Sequence, residues 1–300
     1  MIRPQGTDFL RANHFRLTPR RTPFHNCRPV ERTEVRNAMK ALLLGAGYAT
    51  RLYPLTRDKP KPLLPVGGVP ILERILEKVL RVDAVDHVYI VTNHRFADHY
   101  RAWADGLRSA RRPPRAPVEV IDDGTDTPET RLGAVGDLNF VMKRAKIKDD
   151  LMVVAGDNLL GFDLRDFASF FKKHGSSVCL KDIAGSDLVS RYSVVTLDPK
   201  ERIIEFEEKP PAPKTSLISI GVYLFHRKIH RLLGEYLRGG GNPDAPGYYI
   251  QWLHKQADLH GFVTTGEWFD IGDIDSYNEA NDLYERKKPT ARSKAAARRK

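Results

Sequence analysis

LLLGAGYATRLYPLTRDKPKPLLPV, residues 42–66, is the stretch on which the fold turns. Three leucines, suited to a strand covered on both faces, give way to two glycines and then to Arg51, Arg57, Lys59 and Lys61, among prolines that forbid a helix. Glycine lets a backbone approach a phosphate closely, arginine offers a planar fork and lysine a point charge. The stretch therefore reads as a phosphate-facing loop outside the carboxyl end of a first strand. Two common phosphate loops do not fit it. The dinucleotide fingerprint fails because Thr50 holds the place of its third glycine and no acid follows about 20 residues on, which disfavours a dehydrogenase. The Walker loop fails because no Gly-Lys-Ser/Thr follows.

Outward from this loop, short apolar runs alternate with helical periodicity, the pattern of an α/β domain with a mostly parallel sheet. Residues 40–44, 87–92, 118–122 and 151–158 read as strands, and helices are expected at 71–80, near 97–107, 134–145 and 164–174. The texture then changes. SSVCL (176–180), RYSVVTL (191–197), RIIEFEE (202–208) and SLISIGVYLF (216–225) are strands in succession, which predicts an antiparallel or mixed portion beside the parallel sheet. Helices near 228–237 and 247–256, a strand at 261–265 and a helix from about Ile274 to Tyr284 close the pattern. There is no internal repeat of the β-helix kind.

The formal net charge of +11 invites a nucleic-acid reading until it is located. Residues 1–38 carry eight arginines against three acids, and residues 286–300 carry eight Lys/Arg against none; +11 less +5 and +8 leaves −2 for 39–285. The basic charge belongs to the ends, which read as a disordered extension or an over-called start before Met39 and a low-complexity tail. A specific nucleic-acid binder is not expected. Cys27 and Cys179 are too few for a zinc cluster or a disulfide framework. No run approaches the roughly 18 apolar residues of a membrane span, and the expectation is a cytoplasmic protein with no membrane partner. His226 and His230 stand four apart, but no further ligand in register supports a metal site there.

Three more constellations carry chemistry. In VVAGDN, Asp157 ends a buried strand, where a carboxylate suits Mg²⁺ held with a nucleotide's phosphates or serves as a plain turn aspartate. In EFEEKPPAP, Glu208 and Lys209 suit sugar hydroxyls and a phosphate, or blunt an edge strand. In GEWFDIGD, Asp270 lies between an aromatic pair and a glycine turn, and Asp273 is placed to begin a helix. No serine elbow or activated cysteine points to covalent catalysis.

Together, the loop, AGDN, RYSVVTLDPKERIIEFEEKPPAPKTS and WFDIGD, in that order, resemble the sugar-1-phosphate nucleotidyltransferases, glucose-1-phosphate thymidylyltransferases among them, from about Met39 to Tyr284. The resemblance implies an α/β fold with a Rossmann-like, mostly parallel mixed sheet flanked by helices and a smaller strand-rich sugar-binding portion. It implies Gly45, Ala46 and Gly47 against the nucleotide, Arg51 on its phosphates, Lys61 at the reacting centre and Gly133 at the base. Asp157 and Asp270 would hold Mg²⁺, and Lys209 with Glu208 would hold the sugar phosphate and the sugar. The substrates implied are a nucleoside triphosphate and a sugar 1-phosphate, and a homo-oligomer is open. Ala49 and Ser193 stand where the family more often has glycine, and 120–137 lacks the Gln and Pro pattern of thymidylyltransferases, so sugar and base do not transfer. A catalytically silent sugar-nucleotide sensor is the alternative, disfavoured by the presence of both aspartates.

Overall fold

The computed structural model describes residues 38–287. The basic ends expected at 1–38 and 286–300 lie outside them, apart from residues 38, 286 and 287. In chain order, β1 (Met39–Leu44) leads through the loop to a small hairpin of β2 (Pro65–Val66) and β3 (Val69–Pro70), then to α1 (Ile71–Val79). Next come β4 (Val85–Thr92), α2 (Ala97–Arg108), β5 (Val118–Asp122), α3 (Ala134–Arg144), β6 (Asp150–Ala155), β7 (Asn158–Leu160) and α4 (Leu164–His174). Four strands follow: β8 (Ser177–Asp182), β9 (Val194–Leu197), β10 (Ile203–Glu207) and β11 (Leu217–Phe225). The described residues end with α5 (His230–Arg238), α6 (Pro246–Leu253), β12 (His260–Thr264), β13 (Trp268–Asp270) and α7 (Ile274–Arg286).

Nine strands share one mixed sheet, ordered β10-β9-β11-β6-β1-β4-β5, with β8 also on β11 and β12 beyond β8. The parallel half is β6-β1-β4-β5, and β11 joins it antiparallel to β6. The mixed α/β sheet expected from the residues is present, and the strand-rich portion continues the same sheet through β11. Because the chain runs from β1 out to β4 and β5 and then returns to the other side of β1 as β6, the switch point lies between β1 and β6. A crevice opens there outside the carboxyl ends of both strands.

The apolar run of β1 has its explanation in two cores. Ala41 and Leu43 face one buried cluster with α1 and α4, while Leu42 faces the other with α3, α5 and α6, as the period of two in a strand requires. In α1, Ile71, Leu72, Ile75, Leu76 and Val79 are all buried, each such side chain contributing roughly 1.5–3 kcal/mol of burial. Asp273 does begin a helix: it caps α7 in a reciprocal box with Ser276. Cys179 is free and buried in β8, where burial pushes its thiol up and leaves it inert. Among the described residues, no helix is long and apolar enough to cross a membrane.

Two runs differ from the sequence reading. Residues 151–158 form two strands, because the chain breaks at Gly156, where a Cβ would stand 2.4 Å from the Leu44 carbonyl oxygen. Residues 268–270, left outside any expected strand, pair with β7 and set Asp270 opposite Asn158.

Candidate active site

The loop after β1 is held from behind. Gly45 N–H donates to the Val91 carbonyl at 2.9 Å, and the Tyr100 hydroxyl donates to the Gly45 carbonyl at 3.0 Å. A Cβ on Gly45 would meet that hydroxyl at 2.7 Å, so packing alone demands this glycine. The wholly buried Asn93 donates through Nδ2 to the Ala46 carbonyl at 2.8 Å. Gly47 differs, since a Cβ there would enter open space, and its bare backbone leaves room for a ligand. Ala49 takes the left-handed conformation, φ 47° and ψ 43°. That geometry disfavours a side chain by roughly 1–2 kcal/mol, a physical reason for glycine there.

This loop lines a cavity of about 540 Å³ with Arg51, Lys61, Gly133, Asp137 and Asp157. A second cavity, about 420 Å³, is lined by Glu208, Lys209, Tyr192, Ser193, Asp270 and Gly247, and by Arg51 and Asp157 again. The two meet at Arg51 and Asp157. Thus Gly45, Ala46, Gly47 and Gly133 face the first cavity, Glu208, Lys209 and Asp270 the second, Lys61 the first beside the junction, and Lys59 neither.

At the junction the Lys61 ammonium donates to Asp157 Oδ2 at 2.8 Å and to the Ile271 carbonyl at 2.9 Å. The Ile271 N–H donates to the Asp157 carbonyl at 3.1 Å, tying the segment after β13 to the turn after β6. Burial pushes the Asp270 carboxyl up to about 6, Asp157 adds repulsion, and Lys61 and Arg51 oppose both. The Tyr192 phenol is pushed up to about 12 by burial and by the negative charge of Asp270 beside it. Two carboxylates that repel each other at a cavity junction fit a divalent cation, whose other positions phosphate oxygens and water would fill. No group of three or more His, Cys, Asp or Glu able to hold a metal occurs among the described residues, so such an ion would depend on its ligand.

Lys209 lies at positive φ, 47°, its ammonium 3.6 Å from Glu208 Oε1. Gly133 also has a structural cause: at φ 77° a Cβ would stand 2.4 Å from the Pro243 carbonyl oxygen, and that carbonyl accepts from Val135 N–H at 2.9 Å. Sequence reasoning missed Asp137. It is 6% exposed and lines the first cavity, with Oδ1 unpartnered. Burial and the neighbouring Asp123 push its carboxyl up to about 8. An aspartate in a helix's first turn ordinarily reads as a favourable charge at the N-terminus, and nothing local signals a second carboxyl fourteen positions earlier. Tyr192 was in view only as part of a strand motif, and Ser193 only as a departure from the glycine usual at its position.

A family model for nucleotidyl transferases matches residues 40–287. The chain belongs to the nucleotidyl transferase family. It is 28% identical over 248 residues to the bifunctional protein GlmU of Methanocaldococcus jannaschii, covering 81% of this chain and 53% of that protein. To a putative mannose-1-phosphate guanyltransferase of Sulfolobus acidocaldarius it is 32% identical over 246 residues, covering 81% and 62%. The chain therefore spans between half and two thirds of the length of these relatives. Among solved structures, a putative glucose-1-phosphate thymidylyltransferase from Bacillus anthracis in complex with a sucrose superposes with a TM-score of 0.67 at 25% identity, over 86% of this chain and 99% of that one. A UDP-glucose pyrophosphorylase complexed with UDP-glucose shares the fold, with a TM-score of 0.71 at 22% identity over 84% and 100%.

Proposed function

We propose that this nucleotidyl transferase joins a sugar 1-phosphate to a nucleoside triphosphate, giving an NDP-sugar and pyrophosphate. The observation that carries the reading is the meeting of two cavities at Arg51 and Asp157. Two anionic substrates, each in its own cavity, would present their reacting phosphates at that junction. The nucleotide's phosphates would lie along the Gly47 backbone, and Lys209 would hold the sugar phosphate. A phosphate oxygen of the sugar then attacks the α-phosphorus in line, and the bond to pyrophosphate breaks with the electron pair leaving on its oxygen. Arg51 and Lys61 offset the charge that develops, and positioning supplies most of the acceleration. No general base is needed, because a sugar phosphate is already ionised near neutral pH. Asp157 and Asp270 are the residues that would hold a Mg²⁺, which would supply charge neutralisation of the phosphates.

The test is pyrophosphate release from a panel of nucleoside triphosphates crossed with several sugar 1-phosphates, with and without Mg²⁺. Release is expected only with both substrates and metal present. Asp157→Asn and Asp270→Asn should lower turnover by on the order of a hundredfold or more while the far-ultraviolet dichroism stays unchanged. Binding of sugar nucleotides with no turnover of any pair would favour a sensor, and near-normal turnover in either variant would remove the metal assignment.

A further inference from the structure

The carboxylate of Glu208 is fixed on every side but one. Its backbone N–H donates to Gln251 Oε1 at 2.8 Å, and its side chain is only 4% exposed. Oε2 accepts the hydroxyl of Ser193, while Oε1 faces the Lys209 ammonium at 3.6 Å. Gly247 closes the far side: a Cβ there would stand 1.8 Å from Glu208 Oε2 and 2.5 Å from Ser193 Oγ. Ser193 is itself 8% exposed, and its carbonyl accepts from Ser219 N–H at 2.9 Å, so its backbone is anchored in the sheet. All of these except Gln251 line the second cavity.

A free carboxylate has two oxygens and can accept from two neighbouring hydroxyls of a sugar ring at once. Here the hydroxyl of Ser193 takes one acceptor position of Oε2, and Gly247 closes the rest of that oxygen. We propose that Ser193 is a specificity-determining residue, whose hydroxyl occupies Glu208 Oε2 so that this carboxylate reads one ring hydroxyl through Oε1 and leaves the neighbouring hydroxyl unread. The inference rests on the nucleotidyltransferase reading of the second cavity and adds to it a class of substrate. That class is the set of hexose 1-phosphates that share one ring hydroxyl and differ, by epimerisation or loss of oxygen, at the carbon beside it. A sugar hydroxyl brought against the occupied oxygen would be desolvated without a new acceptor, so the site gains nothing from its presence.

The experiment compares the wild type with Ser193→Ala and Ser193→Gly on a hexose 1-phosphate and its set of monodeoxy analogues. Both calorimetric titration of each sugar 1-phosphate and pyrophosphate release are read. In both variants, a ring position the wild type ignores should become one whose deoxygenation weakens binding about tenfold or more, the scale of a hydrogen bond to a charged group. That position should adjoin one the wild type already requires. Identical deoxygenation profiles in all three proteins would overturn the proposal. So would a changed profile in Ser193→Gly with none in Ser193→Ala, which would make the effect one of space rather than of the occupied oxygen. Failure of the wild type to bind or turn over any sugar 1-phosphate would remove the nucleotidyltransferase reading as well, whereas turnover with invariant profiles removes only the role of Ser193.

Discussion

Asp137 shows how a single buried group ties the first cavity to the protein's stability. Its carboxyl is pushed up to about 8, first by burial and then by Asp123, and Asp123 in turn accepts from Thr125 N–H at 2.7 Å. The folded chain therefore keeps a proton on Asp137 that the unfolded chain gives up near its ordinary value of 3.8. With more protons bound in the folded state, stability falls as pH rises from the unfolded value toward the folded one. Asp137→Asn removes that loss and keeps an N–H able to donate to Asp123. Its stability relative to wild type should thus rise by on the order of 2 kcal/mol between pH 5 and pH 8, measured by urea denaturation at each pH. A difference that stays flat with pH would show that Asp137 is ionised in the folded protein. This residue was illegible in the sequence because its partner is brought close only by tertiary packing. Asp157 and Asp270 could be picked out from local patterns of about eight positions, Asp157 in a turn after a buried strand and Asp270 between an aromatic pair and a glycine turn.

At the level of elements, the junction of β1 and its loop was legible in outline and not in mechanism. The run of leucines and the two glycines announce a strand followed by a close-approach turn, and the parallel pairing of β1 with β4 and β6 agrees with that. What the residues could not show is that the two glycines serve different ends, Gly45 making room for Tyr100 and Gly47 opening on the cavity. The break after Ala155 has the same origin, since only the approach of Gly156 to the Leu44 backbone distinguishes that glycine from one inside a strand. Tyr100 is fully buried in α2 and supports the loop through a single hydroxyl. Tyr100→Phe should leave the Gly45 carbonyl without that donor and destabilise the protein by about 1–3 kcal/mol. If the hydroxyl also positions the loop, nucleotide binding should weaken severalfold while sugar 1-phosphate binding stays as in the wild type. Equal weakening of both ligands, or of neither, would leave Tyr100 a core residue without influence on the loop.

Over the whole molecule, the continuity of the sheet is what brings the two cavities together. β11 lies antiparallel on β6, so β9, which Ser193 precedes, and β10, which Glu208 follows, extend the same sheet that ends in the loop after β1, and no hinge between separate sheets is needed. The helix that closes the described residues runs to Arg286, two residues past the end expected at Tyr284, and Lys287 pairs with Glu267 beyond it. A chain shortened from its C-terminus should therefore keep residues through 287. The shared wall sharpens the expected division of labour. Arg51 lines both cavities, so it cannot be assigned to the nucleotide alone, as the loop by itself suggests. Gly47 lines only the first and Lys209 only the second. Three variants then make one test by direct titration of each ligand. Gly47→Val puts a side chain into open cavity space and should weaken the nucleotide alone. Lys209→Ala loses a charge-assisted contact and should weaken the sugar 1-phosphate alone, by about ten- to over a hundredfold. Arg51→Ala should weaken both, since its guanidinium stands where the two phosphates would meet. If Arg51→Ala spared either ligand, the junction would not be where the substrates face each other. If Lys209→Ala weakened the nucleotide as much as the sugar phosphate, the assignment of one cavity to each substrate would have to be given up.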